Sequence, residues 1–203
     1  LAILGNSRSI AQLATDALLT GNGRLAELSP ETREELERIA PDSPHTDNPV
    51  DLGDGVSAEI LGKALKLLIK ERNADAVLVL YSPTDPQGGL EHAEAVVETA
   101  ASSRRLILTS WVGSALAHPA RDLLKERRVA TYNNPGAAAQ AFVRSARYVQ
   151  NQELLMETPA SIPEDFTPDT ISARAMVDNA LAAGHTRLNV IETQCLLDAY
   201  RIP

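Results

Sequence analysis

Three short segments carry the residue types best suited to chemistry. Gly5-Asn6-Ser7-Arg8-Ser9 follows an apolar run and opens directly into a helical stretch. The first N–H groups of a helix have no intrahelical acceptor and sit at the positive end of its dipole, so this loop suits an anion, most naturally a phosphate. Arg8 would add a fixed charge, and Ser7 and Ser9 would add hydroxyl donors; a plain strand-to-helix connection is the other reading. Ser82 to Gly89 and Ser110-Trp111-Val112-Gly113 follow two later apolar runs, which makes Ser82, Ser110 and Trp111 further candidates. Trp111 could line a site or cover the edge of the core.

Other chemistries lack their residues. There is no GxxxxGK[ST] or GxGxxG phosphate loop and no Gly-x-Ser-x-Gly elbow. Cys195 has no nearby base, and His45, His92, His118 and His185 are scattered without metal-ligand spacing. His92 and His118 fall near helix starts and are expected to face solvent. No catalytic residue and no metal site is therefore assigned.

The elements that must position these loops alternate regularly. Apolar runs at Leu1–Leu4, Arg24–Leu28, Ala76–Leu80, Leu106–Thr109 and Val129–Tyr132 are expected as strands. Between them, apolar residues at helical spacing predict helices from near Ser9 to Gly21, from Ser29 onward, over 57–72, over 90–101, over 118–126 and over 135–156. Ser29 before Pro30, and Ser57, read as N-caps. The run Ala76-Val77-Leu78-Val79-Leu80 has no polar alternation, as expected of a strand buried on both faces of a parallel sheet. Repeated β-α units with right-handed crossovers give an α/β fold, a three-layer αβα sandwich around five parallel strands. The flavodoxin-like order 2-1-3-4-5 would put ligands outside the carboxyl ends of the strands, where the three loops lie. Residues 157–169, rich in Pro and acidic groups, read as a linker. Residues 170–203 form a helical tail too small for a core of its own.

Composition bounds the partners. With 19 basic against 27 acidic residues and 3% aromatics, the chain lacks the footprint of a nucleic-acid binder. No apolar run nears the ~20 residues of a membrane span, and a single cysteine excludes an intrachain disulfide; a soluble, cytoplasmic protein is expected. The chain starts in an apolar run without Met and stops just after a helix, which suggests a piece of something longer.

Asn48-Pro49-Val50-Asp51-Leu52 resembles a signature of the NDP-forming acyl-CoA synthetases, relatives of succinyl-CoA synthetase. LAILGNSRSIAQLATDAL, ADAVLVLYSP, VATYNNPGAAAQAF and RYVQNQELLMETP are similar to successive landmarks of that family's third, flavodoxin-like domain. IETQCLLDAYRIP is similar to the helix that opens its ATP-grasp module. The resemblance implies residues 1–156 as a flavodoxin-like domain and 170–203 as the lead into an ATP-grasp domain. It also implies, in the whole protein, use of CoA or acetyl-CoA and of ATP with Mg. The partners it implies are the CoA-binding, phosphohistidine and ATP-grasp domains, with a homo-oligomer possible.

By the same resemblance, Asn6, Ser7, Arg8 and Ser9 would offer a helix N-terminus to a phosphohistidine, with Asn48 and Asp51 near the site. Asp51 could organise the loop or close an Asx-type turn on its own backbone. The family's ligating members carry Gly-Gly-Pro-Gly in the first loop, whereas Arg8-Ser9 stands where two glycines are expected. In this, and in Thr109-Ser110-Trp111, the chain looks most like the synthetase-like region of bacterial Pat-type protein lysine acetyltransferases. That implies, as an alternative, a catalytically silent acyl-CoA-sensing and assembly module joined to a GNAT domain. Ser43-Pro44-His45-Thr46 superficially resembles the family's phosphorylated-histidine segment, but that segment belongs to a preceding domain, and His45 reads as an ordinary exposed loop residue.

Overall fold

A computed structural model describes residues 1–84, 86–156 and 167–202. The chain divides into two compact bodies, Leu1–Leu154 and the residues from Leu155 onward. The first holds five parallel strands in the order β2-β1-β3-β4-β5. In chain order its elements are β1 (Ala2–Gly5), α1 (Arg8–Thr20), α2 (Pro30–Ile39), β2 (Val50–Asp51), α3 (Ala58–Leu68) and β3 (Ala76–Tyr81). They continue with α4 (Pro86–Ser102), β4 (Leu106–Trp111), α5 (His118–Glu126), β5 (Ala130–Tyr132) and α6 (Pro135–Met156). The α/β class and the 2-1-3-4-5 order are those anticipated.

Alternation along β3 and β4 divides the core between the two faces of the sheet. Val77, Val79, Tyr81 and Trp111 belong to the apolar cluster that includes Leu61, Leu65 and Leu68 of α3, Ala93 and Val96 of α4, and Leu124 of α5. Leu78, Leu80 and Leu108 point the other way, joining Ala14 and Leu18 of α1 and Ala138, Phe142 and Val143 of α6. All six residues of β3 are buried, as a central strand of a parallel sheet requires. Gly5 closes β1 because a Cβ there would lie 2.9 Å from the carbonyl oxygen of Leu80. Ser29 and Ser57 cap α2 and α3, accepting from the N–H groups of Thr32 and Ile60.

Three expectations are corrected. The second strand is Val50–Asp51 and not Arg24–Leu28. Asn48 is the reason: its carboxamide accepts from the N–H of Ile3 at 2.9 Å and donates to the carbonyls of Leu1 (2.9 Å) and Ala26 (2.8 Å). The side chain thus takes β1 edge groups that a neighbouring strand would use, and among the described residues 24–28 keeps direct backbone bonds to Leu1 alone, Ala26 N–H to Leu1 O and the Leu1 amino group to Arg24 O. Secondly, α4 begins at Pro86, not Leu90. The Gly89 carbonyl accepts from the Trp111 indole at 3.0 Å, and Gly89 sits where a Cβ would come 3.0 Å from the Pro83 side chain. Tertiary packing therefore holds a helical turn that glycine disfavours by itself. Thirdly, His92 is buried, not solvent-facing: its ring stacks on Tyr81 at 4.2 Å, and Nε2 lies 2.8 Å from the Val56 carbonyl. His118 is exposed as expected, with Nδ1 2.8 Å from Asp122.

In the second body, α7 (Thr170–Ala182) is capped by Asp169, whose carboxylate accepts from the Ser172 N–H. α8 (Val190–Ala199) begins with a reciprocal capping box between Asn189 and Glu192. Most of the predicted linker, 157–166, lies outside the described residues. No helix among the described residues is long and apolar enough to cross a membrane.

Candidate functional site

The N-terminus of α1 lies at the carboxyl edge of the sheet, two residues beyond the end of β1. Ser7 occupies its N-cap position with extended φ −157° and ψ 119°, yet the hydroxyl makes no capping bond. The first turn contains no acidic residue. Ala11 N–H is satisfied by the Ser7 carbonyl at 3.1 Å, and among the described residues no side chain caps the N–H groups ahead of it. Arg8 and Ser9 are exposed and Ser7 is half-buried, so helix dipole, hydroxyls and guanidinium all meet solvent there. Arg8 makes no ion pair among the described residues.

Asn6 has a different function from its neighbours. It is buried, its Nδ2 donates to the Ser82 carbonyl at 3.0 Å, and its Oδ1 accepts from the Ser82 N–H at 2.9 Å. That pair fastens the loop after β1 to the loop after β3, and uses the carboxamide that would otherwise reach an anion. Asn6 and Ser82 therefore set the position of α1's first turn rather than line it.

Asp51 is buried at the end of β2, and its Oδ1 accepts from the Gly53 N–H at 3.0 Å, the Asx-type turn. Its backbone exchanges hydrogen bonds with His45, 2.8 Å from Asp51 N to His45 O and 3.3 Å in return. This bridge folds 45–51 back beside α1 and leaves a cleft of about 190 Å³ lined by Arg8, Gln12, Asp16, His45 and Asp51. His45 is accordingly half-buried on that cleft, which corrects its reading as an ordinary exposed residue. Gln12, Asp16 and His45 are neighbours of the site that no local pattern marks; their approach to Arg8 depends on Val50-Asp51 being the edge strand.

Asn48 is spent on β1, as described above. Trp111 is fully buried with its ring 5.5 Å from Tyr81, so it supports the core beneath the β4 loop rather than facing solvent. Arg121 holds that loop from outside, donating to the carbonyls of Trp111 (3.3 Å) and Ser114 (3.2 Å). Ser110 is buried in β4, and its hydroxyl has no partner among the described residues. Of the nine candidates, Ser7, Arg8 and Ser9 stand together at an open helix end. Asn6 and Ser82 brace the loop that leads into it, Asp51 lines the cleft beside Arg8, and Asn48 is engaged with β1. No group of three His, Cys, Asp or Glu side chains among the described residues is arranged to hold a metal ion.

The groups gathered there, backbone N–H groups, two hydroxyls and one guanidinium, are of the kinds that hold oxyanions in proteins. No described side chain there is set up as a nucleophile with its base.

No family model matches the chain. It is 28% identical over 156 residues to the alpha subunit of ADP-forming acetate–CoA ligase II of Pyrococcus furiosus, covering 73% of this chain and 34% of that one. It is 29% identical over 204 residues to ADP-forming acetate–CoA ligase I of Archaeoglobus fulgidus, covering 100% of this chain and 28% of the relative. The chain thus spans about a third or less of the curated relatives it matches. A crystal structure of a Pyrococcus horikoshii OT3 protein matches with TM-score 0.67 at 28% identity, over 73% of this chain and 36% of the other. The apo dinucleotide-forming acetyl-coenzyme A synthetase 1 of Candidatus Korarchaeum cryptofilum matches in fold, with TM-score 0.69 at 22% identity over 79% of this chain and 35% of the other.

Proposed function

We propose that this chain is a domain, with a helical extension, of a larger NDP-forming acyl-CoA (acetyl-CoA) synthetase-like protein, and that it presents the N-terminus of α1 to a phosphate or phosphohistidine. The single observation that carries this is the uncapped, acid-free first turn of α1 at the carboxyl edge of the sheet, flanked by exposed Arg8. Similarity to ADP-forming acetate–CoA ligases supports the reaction class. On this reading the CoA, the ATP with Mg and the phosphorylated histidine are held by other domains of the same protein. The contribution of this chain is electrostatic: Arg8, Ser7, Ser9 and the helix dipole lower the energy of a phosphoryl group placed against them.

A second reading is favoured by the side chains at Arg8 and Ser9, where ligating members of the resembled family carry glycines. Bulk there keeps the backbone N–H groups farther from a phosphate. The domain would then serve as an acyl-CoA-sensing and assembly module of a Pat-type protein lysine acetyltransferase. Titration calorimetry on the intact protein separates the two. Phosphate binding that weakens about tenfold in Arg8→Ala, together with ATP-, CoA- and acetate-dependent ADP release, supports the synthetase reading. Acetyl-CoA binding and lysine acetylation with no ADP release supports the second. Absence of phosphate binding, with Arg8→Ala indistinguishable from the parent, removes the anion site.

A further inference from the structure

The opposite, amino-terminal edge of the sheet carries a separate feature. Between the ends of α4 and α5 lies a hollow of about 380 Å³ with an apolar floor of Val97, Ala100, Leu106, Ile107 and Val129. Arg105, Arg127 and Arg128 rim it. None of these three makes an ion pair among the described residues, so nothing there neutralises the guanidiniums. Three guanidiniums thus gather at one edge of a chain whose net charge is −8.

A cation near a helix C-terminus is favourable by itself, and that accounts for basic residues after α4 and α5. It does not account for the open apolar floor between them. Arg128 itself follows α5 with φ 59°, a left-handed helix end in which glycine is the usual occupant and which Arg201 also adopts after α8.

Leu106 is 42% exposed and forms a ridge between this hollow and a second one, about 320 Å³, on the other face of the sheet. The second hollow is walled by Phe142, Ala146 and Val149, and the one charged residue lining it is Asp75, so only apolar anchors suit it. Two apolar hollows sharing one ridge make a track too open for a small ligand, which needs most of its surface enclosed. One end of the track is cationic and the other is not.

We propose that this edge is a docking track for an acidic segment of another protein. The segment would carry aliphatic or aromatic anchors for the two hollows, with Asp or Glu residues over Arg105, Arg127 and Arg128. Charge complementarity steers the segment and fixes its direction, and the anchors supply the apolar burial. The track is independent of the α1 site and of its proposed role.

The test uses the intact protein and a fluorescein-labelled peptide, Glu-Leu-Glu-Glu-Leu-Glu-Glu, followed by anisotropy. Saturable binding is expected, weakened at least tenfold in Arg105→Glu/Arg127→Glu and in Leu106→Asp, and unchanged in Arg8→Ala. Arg128→Gly relieves the left-handed backbone, so it keeps or raises the melting temperature; it should still weaken the peptide at least threefold. The proposal is overturned if the peptide fails to bind or if these variants bind it unchanged. Equal binding of the Lys-for-Glu peptide also overturns it. So does binding of anilinonaphthalene sulfonate with the same variant pattern while the peptide does not bind, which would make the hollow a small-ligand site.

Discussion

Asn6 and Ser82 are joined by two reciprocal hydrogen bonds, 3.0 Å and 2.9 Å, across 76 positions of sequence. The pair locks the β1 and β3 loops together, and the first turn of α1 is fixed by that lock. Truncating Asn6 strands buried polar groups at Ser82, which costs about 1–3 kcal/mol. Asn6→Ala should therefore lower the urea midpoint and also weaken phosphate binding, although Asn6 itself does not face the anion. Weakened stability with unaltered phosphate affinity would show that the clamp does not position the helix end.

Ser9→Asp places a carboxylate in the first turn of α1. A negative charge there stabilises the isolated helix by about 0.3–1 kcal/mol while repelling an external anion. The expected result is a melting temperature equal to or above the parent's, with phosphate affinity reduced at least tenfold by calorimetry. A stable variant that still binds phosphate fully would place the anion elsewhere.

Asn48→Ala removes three hydrogen bonds from the β1 edge at once. The bonds share one side chain and are not additive, so a loss of about 2–4 kcal/mol is expected by chemical denaturation. Asn48→Asp should be only partly tolerated, because it keeps the acceptor for Ile3 N–H and loses both donors.

Glu71 predicts a pH dependence. Burial opposes its charge, but hydrogen bonds from the N–H groups of Ser29 and Asn73 and the hydroxyls of Thr32 and Ser29 outweigh burial and bring its pKa from 4.5 down to about 2. A carboxyl depressed in the folded state contributes stability fully present above its unfolded value and lost as pH falls through the folded one. The contribution should thus disappear between about pH 4.5 and pH 2. Glu71→Gln is expected to cost about 2 kcal/mol at neutral pH, with the gap to the parent closing across that window. Parallel denaturation curves at both ends of the window would rule out this role for Glu71.

How far the sequence reveals this molecule depends on how local the signal is. The unbroken apolar run of β3 announces a central parallel strand, and Ser29-Pro30 and Ser57 announce helix starts; in each case the cause lies within a few residues. The second strand escaped because its identity depends on Asn48 reaching three backbone groups up to 47 positions away. A two-residue strand also has too little length to show a period. His92 looked solvent-facing because its cover, Tyr81 and the Val56 carbonyl, comes from other parts of the chain. At the candidate site, Arg8 with its serines was visible as a loop of suitable chemistry. The separate task of Asn6 was not visible, since a buried carboxamide and an anion-binding one look the same in sequence.

The shortness of β2 has a consequence for how the protein behaves in a crowded solution. A long open margin of unpaired peptide groups invites other chains to add strands and seeds insoluble assemblies. Here one margin ends in two paired residues and a carboxamide that imitates a peptide unit, and the other in the three residues of β5. Neither offers a run long enough to template a stranger's backbone. Replacing Asn48 would therefore do more than loosen the domain: it would uncap a margin of the sheet, with higher turbidity at high concentration as the outward sign.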